Sequence, residues 1–206
     1  MYRGLCKAFA NFLILLVGAG SFACSVPKWY FGRGGKYNQA IIELGRGRGG
    51  NIDQAIVNLE EIARQDPTYR DTLTQLGRAY YKKGRYDDAF LILQRAVALN
   101  KDDEIAWLVL GLTQFQLGDD KRGLDSVRGG LTLLSKNNGD GYRGYPRWDQ
   151  GGRVKRAISR AVFEARKGSE NKTALIGSVE KLLAVIDHED FVRRNRSEFE
   201  YMEEYQ

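Results

Sequence analysis

"YRDTLTQLGRAYYKKGRYDDAFLILQRAVALNKDD", Tyr69 to Asp103, decides the fold. Leu73, Leu76 and Tyr80 stand at i, i+3 and i+7, the apolar stripe of one helix face. Gly84 follows, where the end of a helix takes up a positive φ. Asp87 and Asp88 then place negative charge at the start of a second helix, where the dipole favours it. Ala89, Leu93, Ala96 and Val97 form a facing stripe. The small residues Gly77 and Ala89 mark where the two antiparallel helices must approach closely. The stretch is a helical hairpin, and one hairpin cannot bury its apolar face alone.

Its neighbours repeat it. Gly50, Gly84 and Gly118 are each 34 residues apart, and Ala55, Ala89 and Gly123 keep the same interval. Leu59, Leu93 and Val127 follow in step, as do Ile42, Leu76 and Leu110 upstream. A 34-residue period is the length of the tetratricopeptide repeat. Within the middle unit, Leu73, Leu76, Gly77, Tyr80, Gly84, Tyr86, Ala89, Leu93 and Ala96 resemble that family's signature. The next unit keeps Trp107, Leu110, Gly111 and Gly118, with Gln114 in place of the aromatic and Gly123 in place of the alanine. In the first unit Glu43 replaces the packing glycine and Arg46 the aromatic, while Gly50, Ala55 and Pro67 match. The resemblance spans residues 36–134, divided into 36–67, 69–102 and 103–134. It implies an all-α solenoid of about three helical hairpins.

The period stops after Leu134. Residues 135–152, "SKNNGDGYRGYPRWDQGG", read as a loop carrying Tyr142, Tyr145 and Trp148. These aromatics are candidates to contact a glycan or to cover the last repeat helix. Two further helical stripes follow in 153–206: Val154, Ile158, Ala161 and Val162, then Leu175, Val179, Leu182, Leu183 and Ile186. They are expected to form a hairpin that caps the array. The tail pairs Arg194 with Glu198 and Arg196 with Glu200 at i, i+4, as in a solvated helix extension or a frayed end.

The family resemblance implies a binding scaffold whose concave face, made by the first helix of each pair, holds a partner's peptide or helix. On that face the expected residues are Thr74, Arg78, Tyr81 and Lys82, then Ile105, Leu108, Leu112 and Phe115. The groove would be basic and aromatic in one half and apolar in the other, suiting a segment with an acidic end and an apolar end. The alternative is that Leu108, Leu112 and Phe115 pack against the C-terminal hairpin.

The N-terminus speaks to compartment. Arg3 and Lys7 precede the uncharged run Ala8–Ala23, and Ser21-Phe22-Ala23 is a small-x-small cut site. This is the pattern of a secretory signal, shorter than the roughly 18–20 apolar residues that span a bilayer. Ser21-Phe22-Ala23-Cys24 also resembles a bacterial lipobox, with Ser21 in place of the usual leucine. That resemblance implies cleavage after Ala23, lipid on Cys24 and a flexible tether over 24–35. In a Gram-negative cell Ser25 resembles the default for the outer membrane, facing the periplasm. Removal of the signal takes Cys6 with it, so Cys24 is the one remaining thiol and no internal disulfide forms. Two acyl chains give the stable anchoring that one does not.

Composition narrows the rest. Without Arg3 and Lys7 the 32 basic residues become 30, against 26 acidic ones, a mild basic excess. The single histidine, His188 in "DHED", has neither the partners nor the spacing of a metal site and is expected at a solvated helix end. No phosphate-binding glycine loop and no nucleophile elbow is present in the sequence. The reading is a non-enzyme without cofactor or metal, acting on a protein partner and on the membrane through its lipid. Two alternatives stand beside it. Arg33, Arg46 and Arg48 lie in glycine-rich segments that resemble RNA-binding ones, which an exported protein would not use. The loop aromatics would serve an envelope glycan.

Overall fold

The computed structural model describes residues 32–46, 49–137, 149 and 151–203. Eight α-helices and no strand occur among them: α1 (Arg33–Gly45), α2 (Ile52–Gln65), α3 (Thr72–Lys82), α4 (Tyr86–Leu99), α5 (Glu104–Gln116), α6 (Asp120–Asn137), α7 (Arg153–Arg166) and α8 (Lys172–Glu203). A 3-10 turn, Gly168–Asn171, joins the last two. The helices pair as antiparallel hairpins, so the fold is an all-α, tetratricopeptide-type solenoid closed by a C-terminal hairpin. The first helix begins at Arg33, inside the segment expected to be tether. The tail, expected as a helix extension or a frayed end, continues the α8 backbone to Glu203. No helix among the described residues is long and apolar enough to cross a membrane.

The 34-residue period is written into the hydrogen bonds. At the end of α3, Gly84 sits at φ 74°, its N–H donates to Tyr81 O (3.0 Å), and the Arg85 N–H donates to Tyr80 O (2.9 Å). This is a Schellman closure. One repeat later Gly118 sits at φ 84°, with Gly118 to Phe115 O (3.2 Å) and Asp119 to Gln114 O (2.9 Å). The turns between hairpins repeat as well. The Asp66 side chain accepts from the Thr68 N–H, and Asn100 accepts from Asp102 in the same way. The first repeat solves its turn differently. Glu43, which stands where the packing glycine is expected, accepts the Asn51 N–H through its carboxylate (2.8 Å).

Packing explains the small residues. A methyl group on Gly77 would lie 2.4 Å from Leu93 Cγ, and one on Gly111 would lie 2.6 Å from Val127 Cγ2. The two hairpins are therefore held at the same spacing by glycine on the first helix and a branched residue on the second. Helix α5 is the centre of the array. Eleven of its thirteen residues are buried, and it packs on α3, α4, α6 and α8. A helix that is apolar nearly all round has to be enclosed. The capping hairpin buries Val154, Ile158 and Ala161 of α7, with Val162 of the same expected stripe half-buried, and Leu175, Val179, Leu182, Leu183 and Ile186 of α8.

Gly77→Ala should destabilise the protein by about 1–3 kcal/mol in urea unfolding, although alanine is the better helix former, because the added methyl collides with Leu93. An unchanged midpoint would show that the hairpin spacing is not set there.

Candidate functional site

The face expected to be open is partly covered by the chain's own last helix. Arg78 of α3 directs one terminal guanidinium nitrogen to both carboxylate oxygens of Asp187 on α8, at 2.8 and 2.7 Å, and the other to Gln75 Oε1 at 3.2 Å. Only 11% of the Arg78 side chain and 29% of the Asp187 side chain are exposed. One turn further along α3, the Tyr81 hydroxyl donates to Glu180 Oε1 (2.8 Å). Burial and that carboxylate push the Tyr81 pKa well above the ordinary tyrosine value, so it remains a donor. Glu180 and Asp187 are seven residues apart, two turns of one helix face, and they take up two donors that stand one turn apart on α3.

Lys82 is turned elsewhere. Its ammonium donates to Leu44 O (2.8 Å), a carbonyl in the last turn of α1, where the dipole favours a cation. Lost hydration and the nearby Arg78 charge lower its pKa. Thr74 is buried and donates to Asp103 Oδ2 (2.6 Å). Asp103 in turn caps α5 by accepting from the Ala106 N–H (2.8 Å). Thr74 therefore joins the second repeat to the third and is not a surface contact.

The apolar half of the expected groove lies inside the molecule. Ile105, Leu108, Leu112 and Phe115 are all buried. A methyl group on Gly130 would meet Leu108 Cγ at 2.9 Å, and one on Gly123 would meet Phe115 Cδ1 at 2.9 Å, so both side chains pack into the hairpin with α6. Lys172, at the start of α8, lies 5.7 Å from the Phe115 ring centre. The expected open face of α5 is corrected to a core face. The physical reason is that α5 is enclosed on several sides, and a period of 3.6 cannot say which neighbour covers which stripe.

The "DHED" segment is corrected too. It lies within α8 and not at its end, and its acids are engaged: Asp187 with Arg78, and Glu189 with Arg153 at 3.5 Å. His188 is exposed. Glu180 and Asp187 were missed as site residues. The signal was present, since both flank the stripe Val179, Leu182, Leu183, Ile186 at a spacing of two turns. Arg33 opens α1 and Arg46 pairs with Glu43 at 2.8 Å, while Arg48 lies outside the described residues. Cys24, Tyr142, Tyr145 and Trp148 also lie outside them. No group of three metal-ligating side chains occurs among the described residues.

Helix α3 thus presents donors to α8, within hairpins repeating every 34 residues. A tetratricopeptide repeat family model matches residues 48–112. Residues 48–112 are similar to tetratricopeptide repeats. The match covers α2 to the Leu112 turn of α5. Beyond it, the α5–α6 hairpin reproduces the helix closure and the glycine contact of the matched one. No curated protein matches the sequence. Repeats of this family suggest a scaffold for protein–protein interaction.

Removing Arg78 would leave Asp187 without its ion pair. In a double-mutant cycle of Arg78→Ala and Asp187→Ala, we expect a coupling of about 1–3 kcal/mol, with faster amide exchange along residues 179–190 in either single variant. Additive effects would mean that the pair does not hold α8.

Proposed function

We propose that this protein is a membrane-anchored scaffold of a bacterial cell envelope, whose tetratricopeptide array engages a helix of a protein partner. The observation that carries the binding half is α8 itself. A helix with carboxylates two turns apart and leucine between them satisfies Arg78 and Tyr81. A partner helix with the same acidic-apolar-acidic pattern competes for the same donors, and α8 occupies the face until it arrives. The Ser21–Cys24 sequence supports the anchoring half: signal cleavage after Ala23, lipid on Cys24 and, in a Gram-negative cell, an outer-membrane position facing the periplasm.

Two measurements test these halves separately. A labelled peptide of residues 172–192 should bind the Glu180→Ala/Asp187→Ala protein about tenfold more tightly than the parent, because the resident helix is then weakened. Equal binding would move partner recognition off this face. The intact mass of the protein from its host's membranes, beside a Cys24→Ala variant, reads the anchor. The expected species begins at Cys24 and carries acyl mass that the variant lacks. A species that keeps Met1 and no lipid would refute the anchoring.

A further inference from the structure

Helix α7 carries an unusual outer face. Its fourteen residues include five cations, Arg153, Lys155, Arg156, Arg160 and Arg166, and a single acid, Glu164. Glu164 is only 1% exposed and accepts from Arg160 and Lys167 at 3.1 and 3.2 Å, so its charge faces inward. Arg153 is paired with Glu189. Lys155, Arg156 and Arg166 form no ion pair with any described residue. At about 100° per residue, the exposed side chains of α7 and Lys167 cover an arc of about 160°, and Phe163 lies at its centre. Phe163 is 53% exposed, with the Lys167 ammonium 4.3 Å from its ring centre. From the adjoining α6, the Arg128 guanidinium reaches Ala165 O at 2.9 Å, adding a cation beside Arg166 and Lys167.

We propose that the outer face of α7 docks on an anionic lipid surface, with Phe163 entering the headgroup layer and the flanking cations meeting phosphates. The opposite face of α7 is committed to the core through Val154, Ile158, Ala161 and Ala165. One aromatic, not a full apolar stripe, is therefore left for the membrane, and the attraction is mainly electrostatic. A convex ridge with one aromatic ring among cations suits a flat anionic layer. Single-stranded nucleic acid is held in grooves that stack several bases in succession. The proposal rests on the envelope reading for its compartment, and it adds a second membrane contact to the N-terminal lipid. The two together fix how the array is presented to the membrane.

The test is partition of the full chain onto vesicles of phosphatidylcholine and onto vesicles with one-third phosphatidylglycerol, in low and high salt. The readout is the ratio of the two partitions. The parent should favour the anionic vesicles strongly at low salt and lose that preference at high salt. Lys155→Gln/Arg156→Gln/Arg166→Gln should lower the ratio at least tenfold with an unchanged melting midpoint, each surface cation contributing about fivefold. Phe163→Ala, at an exposed site, should lower binding to the anionic vesicles several-fold. Cys24→Ala should reduce partition onto both vesicles and leave the ratio intact, so failure of the lipid anchor is distinguishable from failure of this face. An unchanged ratio in the triple variant overturns the proposal. So does mixed-sequence single-stranded RNA whose binding, and not the vesicle ratio, is lost in that variant, since the face would then serve nucleic acid.

Discussion

The enclosure of α5 is the constraint on which the molecule depends. Leu108, Val109, Leu110, Leu112 and Phe115 point in different directions around one helix, and all are buried. No single partner helix covers such a cylinder, so α3, α4, α6 and α8 each take a share. Burying a side chain of this size contributes about 1.5–3 kcal/mol, which offsets part of the backbone entropy of ordering the helix. The capping hairpin follows from this. Without α8, part of α5 would face water, and a solenoid needs a terminal element whose outer side is polar.

That requirement shapes the face on which scaffolds of this kind hold their ligands. The array keeps the donors suited to a helix, Arg78 and Tyr81, and supplies the acceptors itself from Glu180 and Asp187. Apolar enclosure of α5 and polar attachment to α3 are separable layers of one interface. The polar layer is partly solvated, with Asp187 29% exposed, and such layers exchange more readily than a sealed core. The polar attachment of α8 is thus borne by α3 of the second repeat, while the third repeat serves mainly as a packing hub.

Charge is divided along the same line. The α3 donors look inward to α8, whereas the cations of α7 look outward around Phe163. Glu164, the one acid of α7, is spent on its own helix neighbours Arg160 and Lys167. A mild basic excess in the composition thereby becomes a concentrated basic ridge at one end of the array. Composition could not reveal this, because net charge carries no position.

The sequence by itself determined the local elements. The i, i+3, i+7 stripes, the glycines at 34-residue intervals and the acids at helix starts are short-range signals, and the hairpins, the closures at Gly84 and Gly118 and the close contact at Gly77 arise from them directly. The two stripes of the capping hairpin were legible for the same reason. The tertiary structure alone decided which face of each helix meets which neighbour. Thr74 reads as a surface residue until Asp103 comes within 2.6 Å, and Asp187 reads as a solvated acid until α8 lies against α3. Such pairings join residues 29 and 109 positions apart. Periodicity reports that a stripe is apolar or polar, and chain connectivity over those distances decides what covers it.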